Sequence, residues 1–216
     1  MSFKCFFRKY SFFLPPLFVL VTNLTSSFVT RLFISGDTYN LITDWDKAIP
    51  FVPEFIHIYF LAFVQWAVCL VSVMIVDRKT SLKYCTAMSV ANLLCGVVFF
   101  VVPTVMTIRP EFSGGGAFTE LVGKFLFAAD TPPKNILPSV HCLHSWGCMR
   151  MIFAVKKAPG WLKAVNAIFS FLVFASVLFV KQHLIIDIPA GILIFEVGFL
   201  ITVMIEKIKQ GDKKNA

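Results

Sequence analysis

Three groups of polar residues stand in an otherwise apolar setting: Pro103-Thr104 with Arg109-Pro110, Pro138-Ser139-Val140-His141, and the run Lys181-Gln182-His183-Leu184-Ile185-Ile186-Asp187. On a helix starting near Lys181, His183 and Asp187 are four residues apart and share a face. The carboxylate then holds one imidazole nitrogen and leaves the other exposed as a nucleophile. Ser139 falls where a helix should begin, which turns its hydroxyl and the free amides of the first turn toward an anion. His141, in the same turn, is placed to protonate a leaving oxygen. Arg109 adds a planar fork that matches phosphate oxygens. Taken together, these are parts suited to binding and transferring a phosphoryl group.

The elements that must position them are membrane helices. The chain has 216 residues, 57% of them hydrophobic, with 25 Phe and a mean hydropathy of +0.79. That is too apolar for an ordinary soluble domain. Its repeated apolar runs have the length a helix needs to cross a hydrocarbon core of roughly 30 Å. They predict six spans, near residues 11–34, 54–76, 84–106, 139–157, 161–181 and 184–206. The expected fold is therefore an all-α, polytopic, six-helix membrane domain covering residues 1–216, with the chemistry-bearing motifs between 103 and 191. The longest polar connection, between spans three and four, carries Ser113-Gly114-Gly115-Gly116, a mostly apolar piece from Ala117 to Ala129 suited to the membrane surface, and Pro132-Pro133. Pro138 and Pro189 mark the starts of the fourth and sixth spans.

Fourteen of the twenty Lys and Arg residues fall on one side of these spans, and six (Arg31, Lys47, Arg109, Lys124, Lys134 and Lys181) on the other. By the positive-inside rule both termini are cytoplasmic and the loops after spans one, three and five face outward. All three polar groups then lie at the outer face of a multi-pass cell-membrane protein. An ionisable residue at a helix centre costs roughly 2.5 to 3.5 kcal/mol on insertion, so each needs a reason to be there.

The formal charge of +8 does not mark a nucleic-acid partner, because the basic residues sit in small groups between apolar runs instead of on one face. The six cysteines lie in or beside apolar segments without paired spacing, which predicts neither a disulfide framework nor a zinc site. Lys4, Arg8 and Lys9 before a long apolar run without a small-x-small cleavage site read as the start of a retained first helix. Asn23-Leu24-Thr25 matches a glycosylation acceptor but falls inside that helix. His144 is read as polar packing between helices, His57 as structural, the triple glycine as a loop turn ahead of an anion nest, and Lys207 to Lys214 as a topology anchor.

The motifs resemble those of the membrane-bound type 2 phosphatidic acid phosphatase superfamily, written KxxxxxxRP, PSxH and SRxxxxxHxxxD. The second is present in full at Pro138-Ser139-Val140-His141, the first keeps Arg109-Pro110, and the third keeps Ser176, His183 and Asp187. Two positions depart: Val102 stands where the first motif has Lys, and Val177 where the third has Arg. The Lys181-Gln182-His183 phrase and the stretch Asp46-Lys47-Ala48-Ile49-Pro50-Phe51 are similar to the branch that includes inositol phosphorylceramide synthase. The resemblance implies that His183 attacks phosphorus, Asp187 orients it, and His141 protonates the leaving lipid alkoxide and then activates water. It further implies that Arg109, Ser139 and Lys181 hold the phosphoryl oxygens, Lys181 replacing one missing cation. No metal ligand set and no cofactor motif is visible, and the implied partner is a lipid phosphate in the membrane. Hydrolysis of a lipid phosphomonoester or polyprenyl diphosphate is the leading expectation. Phosphotransfer to a hydroxyl acceptor and a non-catalytic transporter or scaffold are the alternatives.

Overall fold

The computed structural model describes residues 13–33 and 37–215. Within them the regular secondary structure is helical, with two isolated bridges in the connecting segments. Helix α1 runs Leu14–Phe33 and contains a π-helical turn at Thr25–Val29. A short α2 (Asp44–Ala48) and a single 3-10 turn (Pro53–Phe55) lead into α3 (Ile56–Val76). Asp77 alone links α3 to α4 (Arg78–Val101). Its carboxylate accepts from the Thr80 amide at 3.1 Å and the Thr80 hydroxyl at 2.7 Å, so one residue ends one helix and caps the next. After α5 (Ala117–Ala129) come α6 (Val140–Ala154), α7 (Gly160–Phe179) and α8 (Asp187–Asn215).

Five of these helices are long and apolar enough to cross a membrane: α1, α3 with its preceding turn, α4, α7 and α8. The predicted span 139–157 differs. It is α6, of 15 residues, about 22 Å long at 1.5 Å per residue and short of a hydrocarbon core of roughly 30 Å. Its position explains this. α6 is packed among α3, α4, α7 and α8, and nine of its residues from His141 to Ile152 are buried. A helix shielded by its neighbours needs neither the length nor the uniform apolarity that lipid demands. The third span also shifts, starting at Arg78 and ending at Val101. Pro103-Thr104 therefore lies in an extended segment, not on the helix.

That segment ties one end of the bundle together. The Tyr39 amide donates to the Pro103 carbonyl at 2.7 Å, the Val105 amide to Tyr39 at 3.1 Å, the Met106 amide to Pro133 at 3.0 Å and the Asn135 amide to Thr104 at 3.0 Å. The chain after α1, the chain after α4 and the chain before α6 thus meet. At the same end the Ser139 amide donates to the Asp187 carbonyl at 3.1 Å, joining the starts of α6 and α8. Their approach is close at Gly191, where a Cβ would fall well inside contact distance of the Ser139 carbonyl oxygen.

The apolar piece Ala117–Ala129 is a helix with Phe118, Leu121 and Phe125 all about two-thirds exposed on its outer side. Gly114, Gly115 and Gly116 before it all take positive φ, a region that favours glycine. Their loop wraps Glu120, whose carboxylate accepts from the Gly114 amide at 3.0 Å. His57 reaches from α3 to the Thr119 hydroxyl at 3.0 Å and stacks on Phe118. His144 Nε2 donates to the Asn92 side-chain carbonyl at 3.0 Å, and Asn92 in turn donates to Val19 and Thr22 of α1. Both histidines are interhelical ties.

Candidate active site

His183 and Asp187 are brought together, though not on a helix. α8 begins at Asp187, and residues 181–186 form successive turns in which Lys181 has a φ of 54°. The fold of this loop returns Asp187 Oδ2 to 3.2 Å from His183 Nδ1. The same oxygen accepts from the Leu184 amide at 2.7 Å, and Asp187 is fully buried. His183 Nδ1 also lies 2.8 Å from the Ile136 carbonyl. A carbonyl only accepts, so Nδ1 carries a proton, and in the neutral ring Nε2 is the nitrogen with the lone pair.

The Ile136 carbonyl is held in place by Thr104, whose hydroxyl accepts from the amides of Ile136 at 3.1 Å and Leu137 at 3.0 Å. Thr104 therefore contributes through the loop it shapes. His141, in the first turn of α6, has its ring centroid 6.3 Å from that of His183. Tyr59 stacks on it at 4.0 Å, and Phe63 and Trp66 flank it at 5.2 Å each. This aromatic packing fixes the ring, and His141 Nε2 has no hydrogen-bond partner among the described residues.

Both histidines line one cavity of about 340 Å³. Its polar lining adds Asn23, Ser27, Arg31, Asp130, Lys134, Asn135 and Gln182. Its apolar lining includes Leu24 and Phe28 of α1, Phe63 and Trp66 of α3, Phe99 of α4 and Leu126 of α5.

The remaining sequence-predicted residues are placed elsewhere. Ser139 is fully buried, and its hydroxyl accepts from the Cys142 amide at 3.3 Å as the cap of α6. It is absent from the cavity wall. Arg109 faces a different, more open pocket, shared with Lys181. Its Nη2 lies 2.6 Å from Asp130 Oδ2, its Nη1 donates to the Asp130 carbonyl at 3.0 Å, and its guanidinium sits 4.6 Å from the Phe127 ring centre. Lys181 donates to the carbonyls of Asp46, at 2.8 Å, and Ile49. Burial lowers its pKa, against the opposing pull of Asp46. Ser176 is buried in α7 and donates to Val173. The structure thus gathers His141, His183 and Asp187, with Ser139 just behind them. It separates Arg109 and Lys181 from the histidines' cavity.

Lys181 belongs to a strap around the loop that carries His183. Asp46 Oδ1 accepts from the Ile185 amide at 2.8 Å, while Oδ2 accepts from the Thr43 amide at 2.9 Å and the Thr43 hydroxyl. Burial acts to raise the Asp46 carboxyl, but the Ile185 amide, the Thr43 groups and the Lys181 ammonium together hold it below the usual carboxylate range. The stretch from Asp46 to Ile49 therefore clamps both ends of the 181–185 turn. Sequence reading noticed this stretch but gave it no role. It also missed Asp130, whose signal was a lone carboxylate in the polar connection just ahead of the Ser139 cap.

No family model matches the chain, and no curated protein matches it.

Proposed function

We propose that this protein is a membrane-embedded lipid phosphatase that hydrolyses a lipid phosphomonoester or a polyprenyl diphosphate through a phosphohistidine on His183. The observation that carries the reading is the setting of His183: an Nδ1 proton engaged by Ile136 and Asp187, which leaves Nε2 as the free nitrogen of a residue lining the same cavity as His141. The mix of charged, amide and apolar side chains in that cavity's wall supports an amphiphilic substrate.

In the first step Nε2 attacks the terminal phosphorus, the bond from phosphorus to the leaving oxygen breaks, and protonated His141 gives its proton to that oxygen, which belongs to the lipid alkoxide of a monoester or to the polyprenyl monophosphate of a diphosphate. In the second, His141 takes a proton from water, the water oxygen attacks phosphorus, and the P–N bond breaks to release inorganic phosphate and restore His183. Asp187 stabilises the positive charge that the imidazole gains on phosphorylation. On this reading the chain is one membrane domain crossing the cell membrane six times, α6 included. Both termini are cytoplasmic and the site lies at the outer face, in keeping with the fourteen-to-six division of basic residues.

The test is chemical. Purified protein is supplied in detergent with labelled phosphatidic acid, phosphatidylglycerophosphate, polyprenyl diphosphate or a sphingoid phosphate, and quenched in alkali, where phosphohistidine persists. At least one substrate should leave acid-labile label on the protein, and His183→Ala should abolish it. Label persisting undiminished in His183→Ala would mean another nucleophile.

A further inference from the structure

The cavity that takes in His141 and His183 also takes in Arg31, from the last turn of α1. Its Nη1 lies 2.9 Å from Asp130 Oδ1, and its Nη2 donates to the Pro132 carbonyl at 2.8 Å. The second Asp130 oxygen is held by Arg109 from the far side, at 2.6 Å. Two guanidiniums thus share one carboxylate, and the cluster keeps one net positive charge. Of the two guanidiniums, Arg31 is the one that reaches the cavity wall with the histidines, and Asp130 lies on that wall beside it.

We infer that Arg31 is the phosphate-binding cation of this site, supplied by the first helix, with Asp130 and Arg109 as its positioning pair. The inference rests on the phosphatase reading above. Phosphoryl transfer concentrates charge on the equatorial oxygens, and catalysis depends on cationic donors fixed around them before the reaction. A guanidinium has five N–H donors. Asp130 and Pro132 engage two on Arg31, so Nε–H and one N–H on each Nη remain for oxygens of a bound anion. Lys134 lines the same wall. Arg109 is turned toward Asp130 and Phe127, and Lys181 is spent on backbone carbonyls.

The local fold of α1 serves this placement. Ser26 donates to both the Thr22 carbonyl and, at 2.6 Å, the Asn92 carbonyl of α4, within the π-helical turn Thr25–Val29. Such a wide turn shifts the phase of the helix beyond it. The shifted last turn is pinned by Asn135, which donates to the Thr30 hydroxyl at 2.8 Å. Thr30 and Arg31 together dock α1 onto the loop that ends in Ser139 and His141.

The experiment measures phosphate release, orthovanadate inhibition and Tm for the full-length protein in detergent, with Arg31→Gln, Arg31→Lys, Arg31→Ala, Asp130→Asn and His183→Ala. Arg31→Gln should lower kcat/KM by about a hundredfold or more, as loss of one donor to transition-state charge does, and weaken vanadate inhibition alongside. Arg31→Lys should fall between, and added guanidinium should restore part of the activity of Arg31→Ala. Wild-type kcat/KM and vanadate sensitivity in Arg31→Gln, with His183→Ala inactive, would overturn the inference and leave the phosphatase reading standing. So would activity lost without guanidinium rescue and with a Tm lowered to that of Asp130→Asn, which would make Arg31 a purely structural tie. A wild-type protein that neither releases phosphate nor binds vanadate would remove both.

Discussion

Replacing Asp187 by Asn separates two services a carboxylate can render a histidine: fixing its tautomer and balancing its charge. Where the carboxylate alone fixes the tautomer, the amide admits the wrong one and the rate falls by about ten-thousandfold. Here His183 Nδ1 has a second acceptor, the Ile136 carbonyl at 2.8 Å, nearer than Asp187 Oδ2 at 3.2 Å. The backbone should therefore keep the proton on Nδ1 in Asp187→Asn. What is lost is the gain of a charged over a neutral hydrogen bond, about 1 to 2 kcal/mol. At 1.36 kcal/mol per factor of ten, that is roughly a 5-fold to 30-fold fall in kcat. The assay is steady-state phosphate release in detergent micelles, with the elution volume and Tm of the variant as checks on folding. A fall near ten-thousandfold in a folded variant would show that Ile136 does not hold the tautomer. An unchanged kcat would show that no positive charge develops on His183, and the nucleophile assignment would go with it.

Other perturbations test the supports. Asp46→Asn sets an amide NH₂ against the donor on either Ile185 or Thr43, since each donates to a different carboxylate oxygen, and should cost on the order of 1 to 3 kcal/mol. Because the folded-state pKa of Asp46 is depressed, its stabilisation is complete above about pH 4 and lost as pH falls through the folded value. The Tm gap between wild type and Asp46→Asn should shrink across that acid range, and a gap independent of pH would refute the carboxylate's role. Gly191→Ala, which drives a methyl group into the Ser139 carbonyl, should cost about 1 to 3 kcal/mol by overpacking and reduce activity, read by thermal unfolding and phosphate release; a neutral substitution would mean α6 and α8 are not held this tightly. Reporter fusions after Ala216 and in the Asp77 to Lys83 loop should report cytoplasm, and one near Gly115 the outside; a cytoplasmic signal at Gly115 would turn the site to the other face.

The parts of the site legible in the sequence were those set by short spacing. His183 and Asp187 pair at four residues' separation, and Ser139 caps the helix that carries His141. The spacing argument reached the pairing by the wrong secondary structure, because a turned loop tethered to Asp46 returns the same two side chains to contact. Arg109 and Lys181 show the limit of reading charge alone. The sequence locates a cation, but which partner captures it depends on chain segments 21 residues away for Asp130 and 135 away for Asp46. Arg31 had counted only toward topology, since nothing near it in sequence marks the phase shift of the π-helical turn. The fourth span comes out shorter than its hydropathy suggests for a related reason: hydropathy measures what lipid requires, and α6 is surrounded by protein.

The mixed lining of the cavity has a consequence for how a reaction cycle would close. The two products of lipid phosphate hydrolysis differ in where they are soluble: an alcohol with its long tail belongs to the bilayer, and inorganic phosphate to water. Leu24 and Phe28 of the cavity wall are also exposed on the surface of α1, whereas Lys134 and Asn135 of the same wall belong to the segment that leads into α6. On the phosphatase reading the alcohol would leave along the first and phosphate along the second. Turnover in membranes would then slow as free phosphate accumulates on the water side, and respond separately to the lipid alcohol diluted in the bilayer plane.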